Sequence, residues 1–193
     1  LRERRFEAHD GLGGRRGVLP CDAGFNLLHQ RHQRARHVAV AGGGHEMTLH
    51  ELAIQRAELR TRLERVERAT HGRSRPTVVA LEWLDPPFLG GHWVPQMISI
   101  AGGREPFGVA PGERSRRATW EEIAAADPDW IVAMPCGFDA AGAAGEVAKL
   151  AGVPAWKSLR AVREARVAAV DANGCFSRPG PRLIDGVEQL FRL

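Results

Sequence analysis

Three short apolar runs give residues 76–193 their pattern. They lie at 77–84, 130–134 and 166–170, and the consecutive apolar residues in each run favour strands that are buried on both faces. Strands that alternate with helices pack as a parallel sheet between helical layers. The pattern therefore predicts an α/β fold, a three-layer lobe with a mainly parallel sheet. The predicted helices cover about 92–101, 120–126, 140–150 and the segment from 182 onward.

The first apolar run ends in Asp85-Pro86-Pro87, and a proline cannot donate a hydrogen bond to a sheet. We therefore expect the strand to stop before the prolines and a loop to begin at its carboxyl end. Open parallel sheets bind ligands at that edge. Trp83, Asp85 and Phe88 are accordingly candidate ligand contacts.

Aromatic residues follow the other two runs as well. Phe138 and Phe176 come after the second and third, and His92 and Trp93 open the helix that follows the first. Parallel strands bring all these exits to one edge of the sheet. A rim of aromatic and turn residues suits a large, flat, partly apolar ligand. The sequence has no glycine-rich phosphate motif, so it does not indicate a nucleotide.

A long charged helix is predicted ahead of the lobe. Thr48 and Glu51 have the spacing of a capping box, and His71-Gly72 ends the pattern. Glu58 lies four residues before Arg62, which is the spacing of an ion pair on one helix face. A narrow apolar stripe predicts that the helix is buried along one edge only. The stripe consists of Leu52, Leu59, Leu63 and Val66.

The chain divides into three parts, 1–47, 48–72 and 76–193. The first part is rich in Arg, His and Gly, and it predicts an irregular or aberrant lead segment. Residues 1–75 hold 15 Arg against 9 acids, whereas residues 76–193 hold 12 Lys plus Arg against 14 acids. Because the predicted lobe is slightly acidic, nucleic acid is not indicated as a partner.

No apolar run approaches the roughly 20 residues of a membrane span, and no signal segment is visible. The sequence leaves the compartment open between periplasm or cell surface and cytoplasm. The three cysteines lack the spacing of metal ligands, so no metal site is predicted.

The alternative to a ligand-binding protein is an enzyme. Cys136 and His92 form the best pair of thiol and base that the sequence offers. Glu82 and Asp85 are the best pair of carboxylates. Structural roles compete with both pairs, because Asp85 precedes a proline in a turn and Glu82 is expected to hydrogen-bond to the loop. We expect no enzymatic activity.

Four stretches occur along the chain in a characteristic order. They are Leu84-Asp85-Pro86-Pro87-Phe88, Ala101-Gly102-Gly103, Thr119-Trp120-Glu121-Glu122 with Asp127-Pro128-Asp129, and Phe176-Ser177-Arg178-Pro179-Gly180-Pro181-Arg182. As a set they resemble the second lobe of cobalamin-binding proteins. These are ABC-importer substrate-binding proteins of the helical-backbone class, in which one long helix joins two α/β lobes that hold a corrinoid between them. The resemblance runs from about Leu52 to Leu193.

The resemblance implies a protein that binds cobalamin or a related corrinoid for an ABC importer, without a further cofactor. It implies that Phe88 and the loop 176–181 face the corrin ring and its amide side chains. It also implies that Glu121 docks onto arginines of an ABC permease. A haem or iron-chelate binding protein of the same class is the nearest alternative. The loop residues are Phe176, Ser177, Arg178, Pro179, Gly180 and Pro181.

Two departures from the family pattern bear on these expectations. Nothing in residues 1–47 resembles the family's first lobe, so we expect a truncated copy in which that lobe is absent. Half a cleft binds weakly, since closure between lobes supplies much of the buried area. Ser115 and Arg116 stand where the family has an aromatic residue.

Overall fold

The computed structural model describes residues 48–193, and the predicted lead segment 1–47 lies outside the described residues. The strands form one five-stranded mixed sheet in the order β3-β2-β1-β4-β5. β1, β4 and β5 are parallel, and β2 and β3 are antiparallel to their neighbours. The predicted α/β class is confirmed, with the three predicted strands as the parallel part. The strands are β1 (Val78–Leu84), β2 (Pro87–Leu89), β3 (Arg116–Arg117), β4 (Trp130–Ala133) and β5 (Val167–Ala169).

β1 stops before the two prolines, as predicted, but a second strand begins at Pro87 where a loop is expected. The chain turns at Asp85 and Pro86, and β2 pairs back onto β1 with Pro87 opposite Leu84. Pro87 has no N–H, but its carbonyl accepts a hydrogen bond from the Ala118 N–H at 2.9 Å. Only the expected loop was wrong, because a proline lacks the donor but keeps an acceptor that a neighbouring segment uses.

Eight α-helices flank the sheet in the described part of the chain. Thr48 with Glu51, and Thr119 with Glu122, form the capping boxes that begin the first and third of them. A short helix also occupies 172–175, where the sequence predicts a loop. The helices are α1 (Leu49–Thr70), α2 (Val94–Ile100), α3 (Trp120–Ala126), α4 (Ala140–Lys149), α5 (Pro154–Ser158), α6 (Arg160–Arg163), α7 (Ala172–Cys175) and α8 (Leu183–Phe191).

Alternate residues of β1 face two separate cores. Val78 and Ala80 pack with apolar residues of α1, α2 and α8 on one side of the sheet. Val79 and Leu81 pack with residues of α3, α5 and α6 on the other side. The alternation follows from the two-residue period of a strand, and it makes this central strand apolar on both faces.

Only the C-terminal half of α1 is covered by the lobe. Val66 is 4% exposed and Leu63 packs against the same core, whereas Leu52 and Ile54 are 44% and 47% exposed. The predicted apolar stripe is therefore buried at one end of the helix. None of the helices within residues 48–193 is both long and apolar enough to cross a membrane.

Arg62 joins α1 to α8 instead of pairing along its own helix. Its guanidinium donates to the Glu188 carboxylate at 2.9 and 2.8 Å and to Asp185 at 2.7 Å. The predicted pair with Glu58 is replaced, because two carboxylates from α8 lie within reach of the same guanidinium.

Candidate ligand-binding site

The carboxyl ends of β1, β4 and β5 meet at one edge of the sheet, as their parallel order requires. Trp83, at the end of β1, and Phe138, after β4, lie there with ring centroids 6.4 Å apart. The Phe138 carbonyl accepts a hydrogen bond from the N–H of Asn173, which follows β5. Trp83 is 42% exposed, and its indole N–H donates to the Asp85 carbonyl. The three predicted strand exits are thus brought together.

A second aromatic pair lies between β2 and α2. The rings of His92 and Trp93 have centroids 5.8 Å apart, and both residues are half-buried. The Trp93 indole N–H donates to the Phe176 carbonyl at 2.7 Å, which ties this pair to the segment after β5. His92 has φ of +58°, a left-handed conformation that few non-glycine residues adopt.

Phe176 lies in a different place from the one predicted. Its ring is 2% exposed and belongs to the core on the α8 side of the sheet, so it offers no surface to a ligand. Its backbone carbonyl reaches the edge instead. The next residue, Ser177, is half-buried, and the rest of the loop is exposed. Ligand contact by Ser177, Arg178, Pro179 and Gly180 stays a prediction.

Phe88 follows the turn that the prolines make. It lies opposite Trp83 in the β1–β2 pairing and is half-buried, while Asp85 is exposed in the turn. Cross-strand partners lie on the same face of a sheet, so Phe88 stands beside the rim that Trp83 forms. Contact of these residues with a ligand stays a prediction.

Glu82 is the half-buried carboxyl of this edge. Gly91, Ser115 and His92 are its neighbours at this edge, and the Gly91 N–H donates to the Ser115 hydroxyl oxygen at 3.1 Å. Burial raises the pKa of Glu82, and these three neighbours act in the opposite direction with a smaller effect. A structural role for Glu82 through hydrogen bonds to the loop stays a prediction.

The thiol of the alternative interpretation lies at the same edge. Cys136 is exposed, and its backbone N–H donates to the Glu82 carbonyl at 3.1 Å. The His92 ring lies tilted against the Trp93 ring. Within residues 48–193, no group of three or more His, Cys, Asp or Glu side chains is placed to hold a metal ion.

Arg114 was missed as a candidate site residue. Its backbone passes directly beside Gly91, the residue before His92. Arg114 and Arg178 are both exposed, and neither guanidinium has a hydrogen-bond or ion-pair partner among residues 48–193. The basic cluster at 114–117 was the available signal, but Arg116 from that cluster instead lies over the Phe107 ring and pairs with Glu122. Sequence alone does not separate these two roles.

A side cavity extends the edge beside Trp83. Its volume is about 270 Å³, and α4 forms its far wall. Glu146 and Lys149 form an ion pair of 2.6 Å on that wall. The cavity is lined by Trp83, Leu84, Asp85, Pro135, Glu146, Lys149, Leu150 and Val153.

The residue predicted to dock onto a permease lies on another element. Glu121 is exposed in the first turn of α3, beside the Thr119–Glu122 capping box. It has no ion-pair partner among residues 48–193. Its carboxylate is therefore accessible from solvent.

An α/β lobe with an aromatic rim at the carboxyl edge of its sheet is a ligand-binding architecture. The family model described as periplasmic binding protein matches residues 55–173, and the chain belongs to that family. A comparison with curated proteins gives no match.

Solved structures share the fold over about three quarters of the chain. The periplasmic vitamin B12 binding protein BtuF of Vibrio cholerae is 22% identical with a TM-score of 0.55, and the match covers 70% of this chain and 50% of that one. A structure described as an ABC-type Fe³⁺-hydroxamate transport system from Saccharomonospora viridis is 24% identical with a TM-score of 0.60, covering 74% and 49%. The periplasmic haem-binding protein RhuT from Roseiflexus sp. RS-1 is 22% identical with a TM-score of 0.56, covering 74% and 56%. The chain therefore spans about half the length of the structures that it matches.

Proposed function

We propose that this chain binds cobalamin or a related corrinoid as part of a substrate-binding component of an ABC importer. The aromatic rim at the carboxyl edge carries the proposal. Two pairs of aromatic rings lie at this edge. One is Trp83 with Phe138, and the other is His92 with Trp93. A broad ring system gains its affinity from such area, together with a few oriented hydrogen bonds.

The ordered motifs of the sequence and the family membership support the same proposal. Leu84–Phe88 forms the turn that places Trp83 and Phe88 on the rim. The segment from Phe176 holds Trp93 through a backbone carbonyl. Two of the four stretches that resemble cobalamin-binding proteins, Leu84–Phe88 and the one from Phe176, therefore also help to build the edge.

A titration of the protein with cyanocobalamin tests the proposal, with tryptophan fluorescence and equilibrium dialysis as readouts. We expect saturable quenching that fits a single, weak site, because Trp83 and Trp93 would lie within energy-transfer range of the corrin. Trp83→Leu should weaken binding by about tenfold, the loss of one large aromatic contact of about 1.5 kcal/mol. Trp130→Phe is the matched control, since Trp130 begins β4 at the opposite edge of the sheet.

Two results of this titration would contradict the proposal. One is the absence of saturable quenching, even at the high cyanocobalamin concentrations that weak binding requires, while circular dichroism shows the helices of a folded lobe. The other is conversion of the corrinoid to a product at a rate that Cys136→Ala abolishes, which would instead favour the thiol-enzyme interpretation.

A haem or iron chelate is the second candidate ligand, and the exposed arginines favour it. Arg114 and Arg178 come from the two segments that hold His92 and Trp93, and neither has a partner within the described residues. Guanidinium groups pair well with carboxylates such as the haem propionates, whereas the periphery of a corrin is mainly neutral amide. Competition between cyanocobalamin and haemin distinguishes the ligands. The double variant Arg114→Gln, Arg178→Gln should weaken haemin more than cobalamin if haem is the true ligand.

We propose further that Glu121 contacts the permease. An exposed carboxylate without a partner is free to pair with a cation on another protein. Glu121→Lys should weaken the association of this protein with lipid vesicles that contain the permease, and it should leave cyanocobalamin binding unchanged. Glu67→Lys, an exposed change on α1, is the control. Equal effects of both substitutions would contradict the assignment.

A further inference from the structure

We propose that a second ligand site lies at the amino-terminal edge of the sheet, where a cavity binds a small aromatic carboxylate and pairs its charge with Arg73. This site is separate from the aromatic rim at the opposite edge and does not depend on the function proposed there. The stretch Ala101-Gly102-Gly103, which takes no part in the rim, lines the cavity.

The cavity lies where β1 and β4 begin. Val78 and Trp130 pair at the start of these two strands, and both line the cavity. Its volume is about 170 Å³. An apolar cavity of about 150 Å³ is large enough to bind benzene. The volume therefore suits a ligand with one six-membered ring.

The cavity has a buried apolar floor and an exposed mouth. Val78, Ile98 and Leu190 line it and are buried. Phe191 and Arg73 line it as well, and both are exposed. An aromatic ring that enters the cavity therefore removes its own apolar surface and that of Phe191 from water, which favours binding.

Two glycines allow the walls of the cavity to approach each other closely. Gly102 has φ of +89°, and a Cβ there would lie 2.7 Å from Thr70 Cγ2. A Cβ on Gly103 would lie 2.8 Å from Val78 Cγ2 and 2.9 Å from Ile98 Cγ2. The ends of α1 and α2 thus meet the start of β1 at distances that only glycine permits. The shape of the cavity is therefore determined by backbone packing.

Arg73 gives the cavity its charge. It is one of the lining residues, and its guanidinium has no hydrogen-bond or ion-pair partner among residues 48–193. Arg75, by contrast, donates to the Gly103 carbonyl at 2.6 Å and to the Ser99 hydroxyl at 2.9 Å. A guanidinium can pair with a carboxylate through two parallel N–H donors. A ligand with both a ring and a carboxylate thus uses the apolar floor and the Arg73 guanidinium together.

A titration of the protein with benzoate tests the proposal, with the indole resonance of Trp130 in ¹H–¹⁵N spectra as the readout. Trp130→Phe identifies this resonance by its loss. We expect a saturable shift with a dissociation constant of about 1 mM or below, as for a compact ligand of this size. Benzyl alcohol has the ring but no charge. It should bind about fivefold more weakly, the ratio that an exposed ion pair supplies.

Two variants separate the contributions of charge and cavity. Arg73→Gln should reduce the affinity for benzoate about fivefold and leave the affinity for benzyl alcohol unchanged. Arg68→Gln is the matched control, because Arg68 is exposed in the last turn of α1 and does not line the cavity. Ala101→Leu places a larger side chain in the cavity and should abolish the binding of both probes.

Three results would overturn the proposal. The first is a Trp130 resonance that shows no saturable shift with benzoate, and the second is equal affinity for benzoate and benzyl alcohol. The third is a benzoate shift of the Trp83 and Trp93 indoles in place of Trp130, which would put the ring at the aromatic rim. If Ala101→Leu does not fold, Arg73→Gln decides, because it changes an exposed side chain. Cyanocobalamin is not used here, so this site and the proposed function stand or fail separately.

Discussion

The link between the long helix and the lobe can be tested by removing one guanidinium. Arg62→Met keeps the apolar stem of the side chain and deletes the group that bridges α1 and α8. Three hydrogen bonds are lost, two to the Glu188 carboxylate at 2.9 and 2.8 Å and one to Asp185 at 2.7 Å. The side chains of Arg62 and Glu188 are 30% and 20% exposed, so solvent screens the interaction only in part.

The magnitude follows from this geometry. Hydrogen bonds to charged groups contribute about 1.5 to 3 kcal/mol when shielded, and exposed ion pairs contribute between about 0 and 1 kcal/mol. A bidentate, partly exposed arrangement lies between these cases. We therefore expect Arg62→Met to lower the free energy of unfolding by about 1.5 kcal/mol, between these two estimates.

The contribution should also depend on pH. The hydrogen bonds from Arg62 hold the pKa of Glu188 below its usual value. A lowered carboxyl pKa adds stability above the pKa of the unfolded chain, about 4.3, and that stability is lost as the pH falls through the folded-state pKa. The difference between the two proteins should accordingly shrink in acid.

Urea unfolding followed by circular dichroism at 222 nm, at about pH 7 and about pH 4, measures both effects. Arg60→Met is the matched control: its pair with Glu64 spans 3.5 Å, and the Arg60 side chain is 73% exposed. The control should lose no more than about 0.5 kcal/mol. Equal losses for Arg62→Met and Arg60→Met, or a loss for Arg62→Met that does not change with pH, would refute the argument.

Three further predictions concern the stability of the lobe. Gly186→Ala should lower the free energy of unfolding by about 2 kcal/mol, because the new Cβ would lie 2.6 Å from Met97 Cε and 2.7 Å from the Cys175 carbonyl oxygen. The control Gly145→Ala on α4, which has open space around it, should raise the free energy of unfolding by up to about 1 kcal/mol. Similar thermal midpoints for the two variants would contradict this prediction. Thr119→Ala should cost about 1 kcal/mol by removing the α3 cap, and loss of α3 amide protection in hydrogen exchange checks it. Asp129→Asn should destabilise the lobe near neutral pH and progressively less in acid. The reason is that the Thr77 N–H, at 2.7 Å, and then Arg160 lower the pKa of Asp129. A loss of unfolding free energy that does not change with pH in urea unfolding would argue against that account.

The aromatic rim shows how much of a site can be predicted from local sequence pattern. Trp83, His92 and Phe138 were identified because each follows a strand or opens a helix, and parallel strands bring such positions to one edge. Phe176 was identified by the same reasoning, yet its ring enters the core. A strand exit specifies where the backbone emerges, but the packing of α7 and α8 decides on which side of it the ring lies.

Contacts between residues far apart in sequence account for the remaining differences between the predicted and the observed structure. The pairing of Arg62 with α8 spans more than 120 positions, and no local spacing anticipates it. Arg114 and Arg116 look alike in sequence, but one lies unpaired beside Gly91 while the other is engaged by Phe107 and Glu122.

The sequence by itself determined the helix caps, the three parallel strands and the edge on which the aromatic residues gather, since these depend on periods of two to four residues and on the chirality of strand connections. Only the tertiary structure decided that β2 pairs back onto β1 through Pro87, that Gly91 is hydrogen-bonded to the distant Ser115, and that the Phe176 ring is buried. Each of these depends on which groups of distant segments come within hydrogen-bonding or packing distance. That proximity is set by the packing of the whole chain.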